Sequence, residues 1–200
     1  QFVTLPTCVK PPSRNPLTYL VDEKFFLEQL ELLLATQAGP LSLLLVDPDR
    51  FREVNERFGR GAGARVLVKL VTLMESHLRS TDCVARYREA QFAVLLPETG
   101  ALAAAGVAQR LRMLILDAEM DEVWHHGVLT VSVGVASTGT AECHADHLLA
   151  AAERALHAAK TNGGDCVAVF RSLLSAPLSL PRVPGQRAER EPGRQEDWHD

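Results

Sequence analysis

Apolar residues follow two periods along this chain, and the changes from one to the other mark a succession of elements. Phe25, Phe26, Leu30, Leu33 and Leu34 recur at three- and four-residue spacing and predict a helix over residues 21–37, which Gly39 and Pro40 end. Residues 41–46 are a short, unbroken apolar run, the mark of a strand buried on both faces. Two helical stretches follow, over residues 49–58 and 61–78. Residues 83–87 and 91–96 then read as two strands joined by a tight turn. An Ala- and Leu-rich helix is predicted over 100–116, and a strand over 129–136 with Val131, Val133 and Val135 on one side. Residues 145–161 form a further helix, closed by Asn162, Gly163 and Gly164, and 166–170 a last strand. Five strands interleaved with helices pack most naturally as a central sheet covered by helices, an α/β (α+β) fold.

The ends differ in character. Residues 1–14 contain Pro6, Pro11 and Pro12 without an apolar period, so they read as a linker. Residues 172–200 carry Pro177, Pro181, Pro184 and Pro192 and a mixed-charge run from residue 187, as expected of a flexible tail. The domain is therefore expected over 15–171. At 46% hydrophobic and 23% charged residues the composition is that of a globular protein, and a net charge of -4 argues against a nucleic-acid partner. Cys8, Cys83, Cys143 and Cys166 show no C-x-x-C spacing, and no apolar run approaches the roughly 20 residues of a membrane span. No secretory signal is visible at the start. The expected location is a reducing cytoplasm.

Four stretches carry a resemblance to a known family. Pro16, Leu17 and Thr18 with Phe26 are similar to the opening of the GGDEF domains of bacterial diguanylate cyclases, with Asn15, Tyr19 and Asp22 where that pattern has Asp, Gly and Asn. Asp47, Asp49 and Phe51 match its D-x-D-x-F, continued by Asn55 and Gly59. Residues 132–136 resemble its S-I-G-V-A strand, and Ala155, Leu156, Ala159 and Lys160 its last helix. The resemblance covers residues 15–170. It implies a mixed five-stranded sheet flanked by helices, related to nucleotidyl cyclase and polymerase palm domains. It also implies chemistry on GTP, two molecules of which the family's enzymes join into cyclic di-GMP.

The signature turn departs from that pattern. Arg86, Tyr87, Arg88, Glu89, Ala90, Gln91 and Phe92 stand where the family has R-Y-G-G-D-E-F. Arg88 and Glu89 replace glycines that give the nucleotide a close approach, and Glu89 adds a charge that repels phosphate. Ala90 replaces a carboxylate that would bind Mg²⁺ together with Asp47, so the magnesium site is expected to be lost and no cofactor retained. Gln91 replaces the catalytic carboxylate and cannot accept a proton at neutral pH. Ala64 stands where the family reads guanine with Asp, and Gly164 where it contacts phosphate with Arg. Asp47, Arg52, Asn55 and Lys160 would then line a vestigial nucleotide cleft, with Arg52 and Lys160 at phosphate-contacting positions or as solvated helix charges. Asp47 and Asp49 could equally serve as helix caps. These losses lead to the expectation that the chain is not an enzyme.

One further site is complete. Arg79 and Asp82 match the family's R-x-x-D inhibitory site, at the right distance from the signature turn. A guanidinium fork can donate to guanine O6 and N7, and a carboxylate can accept from the N1 and N2 donors. An unremarkable surface ion pair is the bland alternative, worth under about 1 kcal/mol. Arg86 and Arg88 are further candidate contacts. Cys143, His144, Asp146 and His147 resemble a metal cluster only on paper, because the family frame makes them the loop and first turn of the last helix, and His125 and His126 read as a polar loop. The functional expectation is a cyclic di-GMP receptor acting through Arg79 and Asp82, with an upstream or partner signalling domain as its output and a homodimer among the assemblies to be expected. A protein-interaction module without nucleotide, and residual cyclase activity or GTP binding in the old cleft, stay open as alternatives.

Overall fold

The unbroken run Leu43 to Val46 becomes the middle of the sheet. In the computed structural model, which describes residues 20, 22–36, 39–118, 129–138, 143–170 and 178–179, this run lies in strand β1 (Ser42–Pro48) and its four side chains are fully buried. Helix α1 (Glu23–Thr36) precedes it, and α2 (Phe51–Phe58) and α3 (Arg60–His77) follow. Then come the hairpin β2 (Cys83–Arg88) and β3 (Gln91–Leu96), helix α4 (Ala101–Asp117), strand β4 (Val131–Ser137), helix α5 (Ala145–Thr161), and strands β5 (Val167–Val169) and β6 (Leu178–Ser179).

The strand order is β2-β3-β1-β4-β5-β6. Every pairing is antiparallel except β4 with β5, so the sheet is mixed, as the resemblance implies. The five expected strands are joined by a sixth, two residues long, which lies in the segment read as tail. Strand alternation sends Leu44, Val46, Val94 and Val133 to the face covered by α3 and α4, and Leu43, Leu45, Ala93 and Leu95 to the face covered by α1 and α5. The result is a sheet between two helical layers.

Two local features fix what stands at the ends of β1. At Gly134 a Cβ would lie 2.3 Å from the backbone nitrogen of Leu156 and 2.4 Å from the carbonyl oxygen of Ala152, so glycine lets α5 lie directly on the backbone of β4. The hairpin shifts register between Arg86 and Arg88, an irregularity that turns Arg86 and Arg88 in different directions. Residues 1–14, His125 and His126, and all of 172–200 except 178–179 lie outside the described residues.

Candidate functional site

The polar ends of β1, the hairpin turn, α2, α3 and α5 surround a cleft of about 1420 Å³. Its charged lining is uneven. Arg50, Arg52, Arg60, Arg86, Arg88 and Lys160 stand against Glu23, Asp47 and Glu89.

Asp47 lies at the base of this cleft because β1 ends there. Its Oδ1 is 2.7 Å from Lys160 Nζ, and its Oδ2 accepts a 2.7 Å hydrogen bond from Gln91 Nε2. The Lys160 ammonium is also 3.1 Å from Asp49 Oδ1 and donates to the backbone carbonyls of Asp47 and Pro48 at 3.4 and 3.3 Å. A single ammonium thus sits among four oxygens. Gln91, expected as an empty replacement for a catalytic carboxylate, is a structural partner of Asp47. Ala90 offers no donor and packs against the core on the α3 and α4 side.

Asp49 points away from the cleft and is nearly enclosed. It accepts hydrogen bonds from Thr130 Oγ1 at 2.8 Å, Ser132 Oγ at 2.7 Å and the backbone N–H of Asp165 at 2.8 Å. Burial alone would raise its pKa. The Ser132 hydroxyl, the Asp165 N–H, the Lys160 charge and the Thr130 hydroxyl together outweigh burial and hold the carboxyl below its ordinary value. Gly164 makes room for this, since a Cβ there would be 3.0 Å from the Asp49 carboxylate and the residue has φ +72. The expected capping role of Asp47 and Asp49 is corrected. The residue before α2 is Arg50, no side chain caps that helix, and both carboxylates have committed their oxygens elsewhere.

Support reaches back to α4. Arg112 is 1% exposed and forms an ion pair with Asp165, whose backbone N–H serves Asp49. Sequence patterns gave no hint of this arginine, which reads as one polar position on an Ala- and Leu-rich helix. The other expected cleft residues line it too. Asn55 has its side chain held close to Gly63, and Arg52 is exposed and pairs with Glu56 along α2 at 3.1 Å. Arg88 leans over the Tyr87 ring and pairs with Glu153 of α5 at 2.9 Å. Arg86 closes the hairpin turn by donating through Nη2 to the carbonyl of Glu89, while its Nη1 is buried without a hydrogen-bond partner. Phe92 is fully buried in the core behind the turn.

Arg79 and Asp82 meet in the turn between α3 and β2. Asp82 Oδ2 accepts from the backbone N–H of Arg79 at 2.8 Å, and the Asp82 N–H donates back to the Arg79 carbonyl at 3.0 Å. The carboxylate is thereby fixed, and its second oxygen, Oδ1, is buried without a hydrogen-bond partner. Burial raises the Asp82 pKa, against smaller opposing effects from the Arg79 N–H and the Arg79 charge. Arg86 and Arg88 line the cleft at the other end of β2. Among the described residues no group of three or more His, Cys, Asp or Glu is placed to hold a metal ion, and no helix is long and apolar enough to cross a membrane.

The family model described as "Diguanylate cyclase, GGDEF domain" matches residues 13–166. The response regulator PleD of Caulobacter vibrioides is 31% identical over 158 residues, covering 76% of this chain and 35% of that protein. Diguanylate cyclase A of Treponema denticola is 33% identical over 137 residues, covering 67% of this chain and 36% of that protein. The chain therefore spans about a third of the length of these relatives. Among solved structures, the GGDEF domain of DgcB from Caulobacter crescentus in complex with c-di-GMP superposes with a TM-score of 0.75 at 22% identity, covering 82% of this chain and 99% of that one. These relatives correct the expectation that the chain is not an enzyme, because the proteins it matches include a named diguanylate cyclase. The physical reason is one of scope. The altered turn is a single wall of the cleft, and Asp47, Asn55 and Lys160 still stand on the others. With the family model covering most of its length and the sheet, cleft and turn all in place, the chain belongs to the GGDEF family of diguanylate cyclase domains.

Proposed function

We propose that this GGDEF domain is a receptor for cyclic di-GMP and binds it at the turn between α3 and β2. The observation that carries the reading is the Asp82 carboxylate, held by one oxygen while the other is a buried acceptor without a donor. Guanine supplies what is missing, since its N1 and N2 hydrogens are donors and its O6 and N7 are acceptors for the exposed Arg79 fork beside it. The structurally similar DgcB domain has c-di-GMP bound, which supports the same ligand class here. Binding would pass a signal to a partner domain to the extent that it favours one conformational state over another.

Calorimetric titration with cyclic di-GMP tests the proposal. Arg79→Ala removes a bidentate contact worth roughly 1–3 kcal/mol, which lowers affinity by about 5- to 150-fold. Asp82→Asn should weaken binding too, and Asp47→Ala should leave it unchanged. Tight binding that survives Arg79→Ala with circular dichroism unaltered would place the ligand elsewhere. The pH dependence has a defined sign. The ligand needs the ionised carboxylate, so affinity should fall as pH drops through the raised pKa of Asp82, at a higher pH than for an ordinary aspartate.

A further inference from the structure

We propose that the cleft at the end of β1, where the resemblance implies nucleotide held through magnesium, departs from that pattern by taking no divalent cation. The Lys160 ammonium stands in its place, and a nucleoside triphosphate binds there in its metal-free form. The inference does not rest on cyclic di-GMP binding at Arg79 and Asp82.

The resemblance implies magnesium at Asp47, and the residues present do not fit it. Magnesium demands near-octahedral oxygen ligands at about 2.0–2.1 Å and gives up its water reluctantly. Here one Asp47 oxygen is taken by Lys160 and the other by Gln91, both at 2.7 Å. Asp49 has its oxygens engaged by two hydroxyls, a backbone N–H and the same lysine. The neighbouring turn position, Ala90, has no donor at all. A dication would have to break an ion pair and a hydrogen bond and would gain a single free carboxylate. The seat among the four oxygens already holds a positive charge that belongs to the protein.

What remains in the cleft suits an anion that keeps its own charge. Arg52 and Arg88 pair with Glu56 and Glu153, and Lys160 with Asp47 and Asp49. Arg50, Arg60 and Arg86 line the cleft with no ion-pair partner among the described residues, against the carboxylates of Glu23 and Glu89. A charged concavity of this kind focuses potential and gathers counter-ions. Arg86 contributes a guanidinium already oriented by the Glu89 carbonyl, whose Nη1 has no acceptor. A phosphate oxygen is the acceptor best matched to that fork. The volume, about 1420 Å³, accommodates a whole nucleotide, and Asn55 supplies an amide that can hydrogen-bond a base edge. Bound magnesium would neutralise part of the polyphosphate and so oppose binding here.

Calorimetry on the full chain with GTP, and separately with inorganic tripolyphosphate, in EDTA and in excess Mg²⁺ tests this. Both probes should bind in EDTA, GTP the tighter, and Mg²⁺ should weaken each by roughly 3- to 10-fold. Arg86→Gln should lower affinity about tenfold for both probes, and Asn55→Ala for GTP alone. Arg79→Ala should leave both unchanged, so failure of this site and of the cyclic di-GMP site are told apart. Tighter binding in Mg²⁺ than in EDTA by the wild-type chain would overturn the proposal, as would no binding of either probe. Equal affinity for GTP and tripolyphosphate would overturn the nucleoside assignment.

Discussion

Asp49 and Asp82 are both carboxylates drawn out of water, and their pKa values shift in opposite directions. Burial favours the neutral acid at each. At Asp49 three hydrogen bonds and the Lys160 charge reverse that preference, and at Asp82 a single backbone N–H and the Arg79 charge do not. A carboxyl with a lowered folded pKa adds stability above its unfolded value, near 3.8, and loses it as pH falls through that range and below. The acid limb of unfolding, followed by urea titration, should therefore shrink in Asp49→Asn, which should also be less stable at pH 7. For Asp82 the sign is reversed. Ionisation at neutral pH costs stability relative to the unfolded chain, so Asp82→Asn should leave the urea midpoint at pH 7 unchanged or raised while cyclic di-GMP binding weakens. A drop in stability with Asp82→Asn would mean that the carboxylate holds the turn and is not kept for a ligand.

Between elements, two contacts set the position of the cleft. Gly134 lets α5 rest on the β4 backbone, and that places Lys160, near the end of α5, over Asp47. A methyl group there has no space, because the obstructing atoms are backbone. Gly134→Ala should cost about 1–3 kcal/mol in urea unfolding, the range for overpacking. The second contact is Arg112 with Asp165, which ties α4 to the loop before β5. Breaking a buried pair by removing one partner costs about 3–5 kcal/mol, and the partial exposure of Asp165 puts Arg112→Ala at the lower end. Arg112→Met fills most of the volume and should recover part of that loss. If Arg112→Ala is as stable as the parent, the loop is held by something other than this arginine.

The whole molecule shows which parts of such a fold are legible in a chain. Residues 41–46 announced a central strand because burial on both faces demands an unbroken apolar run, and Asn162 to Gly164 announced the end of α5 because the backbone there must turn. What could not be read is the pairing of side chains far apart in sequence. Gln91 looked like a lost carboxylate, and its bond to Asp47 spans 44 residues. The Lys160 contact with Asp47 spans 113. Local period says which face a residue takes, and only the packed sheet says what it meets. Arg86 and Arg88 are both candidate ligand contacts on sequence, and the register shift between them sends one to the Glu89 carbonyl and the other to Glu153.

The same limit applies to β6. Leu178 and Ser179 sit among prolines and have no strand-length period, yet they pair with Val169 and Ala168 at the edge of the sheet. Without them β5 would itself be the edge and would present unpaired backbone groups. Two truncations separate the segment's parts. Removing residues 181–200 should leave the thermal midpoint nearly unchanged, since their composition offers little apolar surface to bury. Removing residues 171–200 also takes away the β6 pairing. A few backbone hydrogen bonds at about 1 kcal/mol each would then be lost, and the midpoint should fall by roughly 3–8 °C. Aggregation on heating should rise as β5 becomes available to other chains. Equal midpoints for the two truncations would mean that β6 adds nothing to the sheet. A large loss from the shorter truncation alone would extend the folded domain past residue 180.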